Sequence, residues 1–132
     1  MTFALMMLVA AAVLTFFMVG FQGLLTPLIQ GFGWGLGSRD DPRDVSALQG
    51  RAARPVRNQL EAMTVFVPLV VAAHLAGVST PLTVWGAGLF VAARAIYWPI
   101  YWAGIPVVRT IAWAAGGAGL IMIAIDLVGA AL

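Results

Sequence analysis

Three arginines, an amide and a carboxylate stand at helical spacing in the middle of this chain: Arg51, Arg54, Arg57, Asn58 and Glu61. Residues three and four apart share a helix face, so Arg54, Asn58 and Glu61 form one polar stripe, extended by Arg51 and flanked by Arg57. A planar guanidinium fork matches a carboxylate or phosphate. An Asn side chain offers two donors and an acceptor to a peptide-like group. The stripe therefore suits a small, anionic, peptide-like ligand. It leads into the apolar run Ala62 to Ala76, which puts Glu61, roughly 15 Å along the helix from Arg51, inside an apolar slab. Charges persist in such a place when they pair or bind something.

A second set follows. Arg94, Tyr97 and Tyr101 share a face, and Arg109 with Thr110 opens the next apolar segment. A guanidinium beside a hydroxyl at a helix start favours an anion such as a thiolate. Glu61 and Arg94 admit two readings, a buried structural pair across an antiparallel contact or two ligand contacts. Arg51, Arg54 and Arg57 read as snorkelling anchors to lipid phosphates or as ligand contacts, and Asn58 on the same face speaks for a ligand. Tyr97 and Tyr101 read as pocket residues, Trp98 and Trp102 as an interfacial belt. Thr110 also fits ordinary helix-start chemistry. His74 has no second ligand at metal spacing, and Asp126 reads as the cap of an interhelical contact or part of a polar seam, with no functional role. The acids of the loop, Asp40, Asp41 and Asp44, lack the alternation and closing Glu of a calcium loop, so no metal site is expected.

The elements that carry these residues follow from composition. The chain has 132 residues, 62% hydrophobic and 9% charged, against about 25% charged in a soluble domain. It cannot dress a water-facing surface. There is no Cys, which excludes disulfides and a cysteine nucleophile. The net charge of +2 is too small to suggest nucleic acid. All basic residues are Arg.

Segments of about 20 apolar residues span a bilayer, and four are expected, at about residues 3–29, 51–77, 82–102 and 107–131. Pro27 and the glycines of the 31–37 stretch are expected to end the first, as a flexible exit into a cytoplasmic loop over residues 31–50. Phe32 and Trp34 are placed at the interface, and Ser38 to Gln49 reads as a solvated turn. The first segment lacks a basic leader, so it is expected to be retained. Short links at residues 77–81 and 103–106 make neighbours antiparallel. The fold class is all-α: a polytopic membrane protein, one domain over 1–132, built as an antiparallel four-helix transmembrane bundle. All seven arginines fall on one side of that topology, which predicts a cytoplasmic arginine face and both termini on the opposite side.

Arg54-Pro55-Val56-Arg57-Asn58-Gln59-Leu60-Glu61, followed by Phe66, resembles the second-helix signature of the membrane-associated proteins in eicosanoid and glutathione metabolism (MAPEG). The block from Arg94 through Tyr97 and Tyr101 to Gly104-Ile105-Pro106 and Arg109-Thr110 resembles the third and fourth helices of the same family. The short bacterial members are the most similar, which implies the bacterial inner membrane. The resemblance implies a homotrimer with glutathione as co-substrate between protomers, near the cytoplasmic face. Arg54, Arg57, Asn58 and Glu61 would contact it from one subunit, and Arg94, Tyr97, Tyr101 and Arg109 from the next. Arg109 and Thr110 would be the catalytic pair stabilising the thiolate. The implied activity is a glutathione transferase or peroxidase acting on lipophilic electrophiles or lipid hydroperoxides. The alternative is a non-catalytic scaffold or an accessory subunit of a larger membrane complex. Tyr97 stands where some eicosanoid synthases carry His, and Trp113 where some members carry Tyr, so a lipid-mediator synthase of the animal type is not expected.

Overall fold

The computed structural model describes residues 1–132. Its elements are helices: α1 (Phe3–Gln30), the single turn α2 (Phe32–Gly35), α3 (Ala47–Leu75), α4 (Pro81–Ala103) and α5 (Pro106–Ala131). Local chemistry sets their ends. Thr2 caps α1 by accepting from the Leu5 N–H. Ser46 and Gln49 form a reciprocal capping box at the start of α3, so that helix begins four residues before Arg51, and the arginine stripe starts in its second turn. Thr80 caps α4 ahead of Pro81, and Gly104, at φ 73°, ends it in the left-handed conformation that glycine tolerates. Pro106 opens α5, where its missing N–H costs nothing.

Two expectations about the region after α1 are corrected. Pro27 does not end the helix: it is buried inside α1, which continues to Gln30. Nor are the glycines a loose exit. Gly35 packs on Pro27 so closely that a Cβ there would stand 2.6 Å from the Pro27 Cα. The absence of a side chain lets α2 fold back onto α1. The loop is likewise held, with Trp34 Nε1 donating to the Asp41 carbonyl at 2.6 Å.

The helices α4 and α5 form the tightest pair. A Cβ at Gly119 would stand 2.5 Å from the Gly86 carbonyl oxygen, and one at Gly86 2.7 Å from the Gly119 oxygen. Backbone meets backbone there, a close approach that small residues permit between apolar helices. Asp126 near the end of α5 accepts hydrogen bonds from Thr80, at 2.6 Å, and Thr83, tying it to the first turn of α4. In turn α1 packs on α3 and α4, and α3 touches both α4 and α5. Phe66 and Phe90 stack at 4.1 Å in the middle, among Ala4, Ala11, Ala62, Val70, Ala87 and Ile123. A polar seam joins α1 to α3 where fully buried Gln59 donates to Thr15 Oγ1 at 3.0 Å.

Phe16, Phe17, Trp85, Ile121 and many other large apolar side chains face outward. Apolar patches of that extent mark a lipid or protein contact surface rather than a water-facing one. Three helices, α1, α3 and α5, are long and apolar enough to cross a membrane. The fourth long helix, α4, carries Arg94 near its centre and Tyr97, Trp98, Pro99, Tyr101 and Trp102 towards its end.

Candidate functional site

The polar residues of α3 and α4 meet where the two helices pack. Arg94 is 4% exposed, and its Nη1 donates to Asn58 Oδ1 at 2.5 Å. Its guanidinium carbon lies 5.5 Å from the ring centres of Phe90 and of Tyr97, which screen the cation from lipid. Its Nε is buried without a partner. The expected Glu61–Arg94 pair does not form. Glu61 is exposed, and the shorter amide of Asn58 takes its place on Arg94. Glu61 instead stands with Asn58 and Arg94 on the wall of a cavity of about 230 Å³, which Trp113, Gly117 and Leu120 of α5 complete.

Two turns along α4 from Arg94, toward the α4–α5 link, Tyr101 gathers two further arginines. Arg54 Nε donates to the Tyr101 hydroxyl oxygen at 2.9 Å, and the Arg109 guanidinium lies 4.8 Å from the Tyr101 ring centre. Tyr97 and Tyr101 meet edge to face at 5.5 Å. Because its oxygen accepts from Arg54, the Tyr101 O–H proton is free to donate elsewhere. Arg54, Asn58, Arg94, Tyr97, Tyr101 and Arg109 thus form one connected cluster within a single protomer. The residues that the resemblance divides between neighbouring subunits bond to one another inside one chain.

Arg57, Thr110 and Arg51 stand apart from that cluster. Arg57 is exposed and lines a cleft of about 340 Å³ with Gln22, Ala53, Arg54, Val56 and Leu60, on the α1 side of α3. The Thr110 hydroxyl donates to the Pro106 carbonyl at 3.0 Å, within its own helix. Arg51 reaches toward the turn between α4 and α5, where a Cβ on Gly104 would lie 3.7 Å from its Nη1. Pro55 and Pro99 lack the N–H that an α-helix residue gives to the carbonyl four residues earlier. Carbonyls near the site, those of Arg51 and Ala95, are thereby left without that donor.

Sequence reasoning missed Gln22, Gly117 and Leu120 as lining residues. Gln22 had a usable signal, a lone amide inside the apolar run of α1. Gly117 and Leu120 had none, because their place on a cavity wall depends on how α5 crosses α3. In chemical terms the site offers guanidinium donors, an amide and a phenol, with the Glu61 carboxylate at its edge. Such a set binds carboxylates and ammonium groups and favours an anionic sulfur over a neutral one.

An all-helical chain with three helices able to cross a bilayer, large outward apolar faces and a polar cluster enclosed between helices is an integral membrane protein. The chain belongs to the MAPEG family, whose model matches residues 4–129, nearly its whole length. That membrane family includes glutathione-dependent transferases and peroxidases as well as non-catalytic members. No curated protein and no solved structure matches the chain.

Proposed function

We propose that this protein is a glutathione-dependent membrane transferase or peroxidase acting on lipophilic electrophiles or lipid hydroperoxides. The observation that carries the reading is the convergence of Arg54 and Arg109 on Tyr101, two turns along α4 from Arg94 and its partner Asn58. Those guanidiniums meet a phenol, an aromatic face and an amide, and no carboxylate. Glutathione supplies two carboxylates, a peptide and an amine, which answer to the arginines, Asn58 and Glu61 in turn.

The chain spans the bilayer four times in this reading, with the arginine face cytoplasmic, both termini opposite and the whole of 1–132 as one domain. The working unit is a homotrimer in a bacterial inner membrane. Glutathione lies between protomers near the cytoplasmic face, held by Arg54, Arg57, Asn58, Glu61, Arg94, Tyr97 and Tyr101. The glutathione thiol loses its proton to water, and Arg109 favours the resulting thiolate. The sulfur then forms a bond to an electrophilic carbon as that carbon's leaving group departs with its electron pair. With a hydroperoxide, the sulfur instead attacks the terminal oxygen and the lipid leaves as its alcohol. The sulfenic acid formed is reduced by a second glutathione to give the disulfide and water. Isothermal titration of the purified protein with glutathione is the test, and absence of binding at millimolar glutathione would sink it.

One observation favours the non-catalytic alternative, a scaffold or accessory subunit of a larger membrane complex. The Thr110 hydroxyl is engaged by its own helix, so the second member of the expected catalytic pair donates nothing toward a ligand. Glutathione binding without turnover of any electrophile, together with co-purification of a larger complex, would support that reading.

A further inference from the structure

On the α1 side of the stripe lies a cavity that the glutathione reading does not use. It measures about 220 Å³ and opens between α1, α2, the following loop and the first turns of α3; Arg39, Arg43, Gln30, Trp34 and Gln49 are on its wall. Its parts are held in place. Arg39 adopts φ 58°, a conformation uncommon outside glycine, and both its Nε and its Nη2 donate to the Gly35 carbonyl, at 2.9 and 2.6 Å. Arg43 Nη1 donates to the Gln30 carbonyl at 2.5 Å. The two guanidiniums lie 5.7 and 5.2 Å from the Trp34 ring centre. Gln30 Nε2 bridges the Asp44 carbonyl and Gln49 Oε1, at 2.8 and 3.1 Å.

The protein partners of these two cations are carbonyl oxygens and an indole face. Asp40, the acid beside Arg39, accepts instead from Ser38 Oγ at 2.7 Å. A guanidinium has five N–H donors, so most of theirs are left over. Neither guanidinium hydrogen-bonds to Asp40, Asp41 or Asp44, the acids of the same loop, and two like charges beside one indole repel unless an anion joins them. Val45 on the cavity wall is exposed, as are Leu28 and Ile29 in the last turn of α1 and Phe32 and Leu36 in and just after α2. Apolar chains beside paired guanidiniums match a molecule with a phosphate at one end and hydrocarbon at the other.

We propose that Arg39, Arg43 and Trp34 form a phosphate-ester site, occupied by the headgroup of an anionic phospholipid. Two guanidiniums beside one indole can share one compact anion with several acceptor oxygens, as guanidiniums do on phosphate. Free phosphate shares that chemistry, and competition separates the two sources. The site depends on membrane placement and not on glutathione binding.

The test uses the full chain in neutral detergent, with phosphatidylglycerol or phosphatidylcholine added as mixed micelles and bound lipid read by native mass spectrometry. The expected result is retention of phosphatidylglycerol in preference to phosphatidylcholine, and a loss of roughly tenfold in Arg43→Gln, about one charge-assisted contact. Circular dichroism monitors folding. If Arg43→Gln does not fold, Arg43→Lys makes the same comparison, since it keeps the charge and loses the planar fork. Displacement of the lipid by inorganic phosphate keeps the phosphate site and assigns it to the free anion. Equal retention of the two lipids, or unchanged retention in both variants, overturns the proposal. Displacement by glutathione also overturns it, because the cavity would then belong to the thiol peptide's site. Failure of glutathione to bind anywhere sinks the proposed activity and leaves this site standing.

Discussion

Arg94 Nη1 donates to Asn58 Oδ1 at 2.5 Å, joining α4 to α3 through a buried cation and a neutral amide. The Glu61 carboxylate, almost one turn further along α3, stands exposed at the edge of the same cavity. Asn58 therefore stabilises the helix pair, while Glu61 is available to a ligand. The two residues differ in their expected effect on stability and on binding.

Asn58→Ala leaves the Arg94 guanidinium buried without its acceptor. Loss of a hydrogen bond to a charged group costs about 1.5–3 kcal/mol, so the thermal midpoint in detergent should fall. Glu61→Gln should leave that midpoint unchanged and weaken glutathione binding by calorimetry. A fall in stability for Glu61→Gln as large as that for Asn58→Ala would contradict this division of roles.

The α4–α5 contact makes a prediction with its own internal control. A Cβ at Gly119 meets the Gly86 carbonyl at 2.5 Å and the Phe90 nitrogen at 2.9 Å, whereas one at Gly117 meets nothing within 4 Å. Gly119→Ala should destabilise the protein by about 1–3 kcal/mol through overpacking. Gly117→Ala should be tolerated. Equal midpoints for the two variants would mean that the helices slide apart at no cost.

The seam between α1 and α3 tests polar satisfaction. Gln59 is 1% exposed, gives its amide N–H to Thr15, and has its Oε1 buried without a partner. Thr15→Val should cost about 1–3 kcal/mol by leaving a buried amide donor unmet. Thr15→Val combined with Gln59→Leu should recover most of that loss, because both partners become apolar together. A double variant less stable than Thr15→Val alone would show that the amide serves packing the pair cannot replace.

Arg109 lies against the Tyr101 ring and makes no helix-to-helix hydrogen bond. Arg109→Ala should therefore keep the helical content and the proposed trimer while removing the ultraviolet absorbance of bound thiolate in the presence of glutathione. Dissociation of the oligomer on this substitution would make Arg109 structural. Arg54→Ala should weaken glutathione roughly tenfold, about the worth of one charge-assisted contact.

The sequence by itself determined the four long helices, the membrane class and the family. Those properties depend on composition, periodicity and local signals such as Thr80-Pro81, Gly104 and Pro106, which act over a turn or less. The 3.6-residue periodicity also predicts that Arg54 and Asn58 share a side of α3, and both meet α4 there, through Tyr101 and Arg94. Tertiary structure decided which partners those faces meet. That Arg94 bonds Asn58 rather than Glu61 depends on the depth at which α4 crosses α3. That Gly35 folds onto Pro27, and that Trp34 lies beneath two arginines, depends on a chain reversal in which glycines permit many paths and packing selects one. Spacing along one helix shows what a face can offer, and the height and angle of its neighbour settle what it touches.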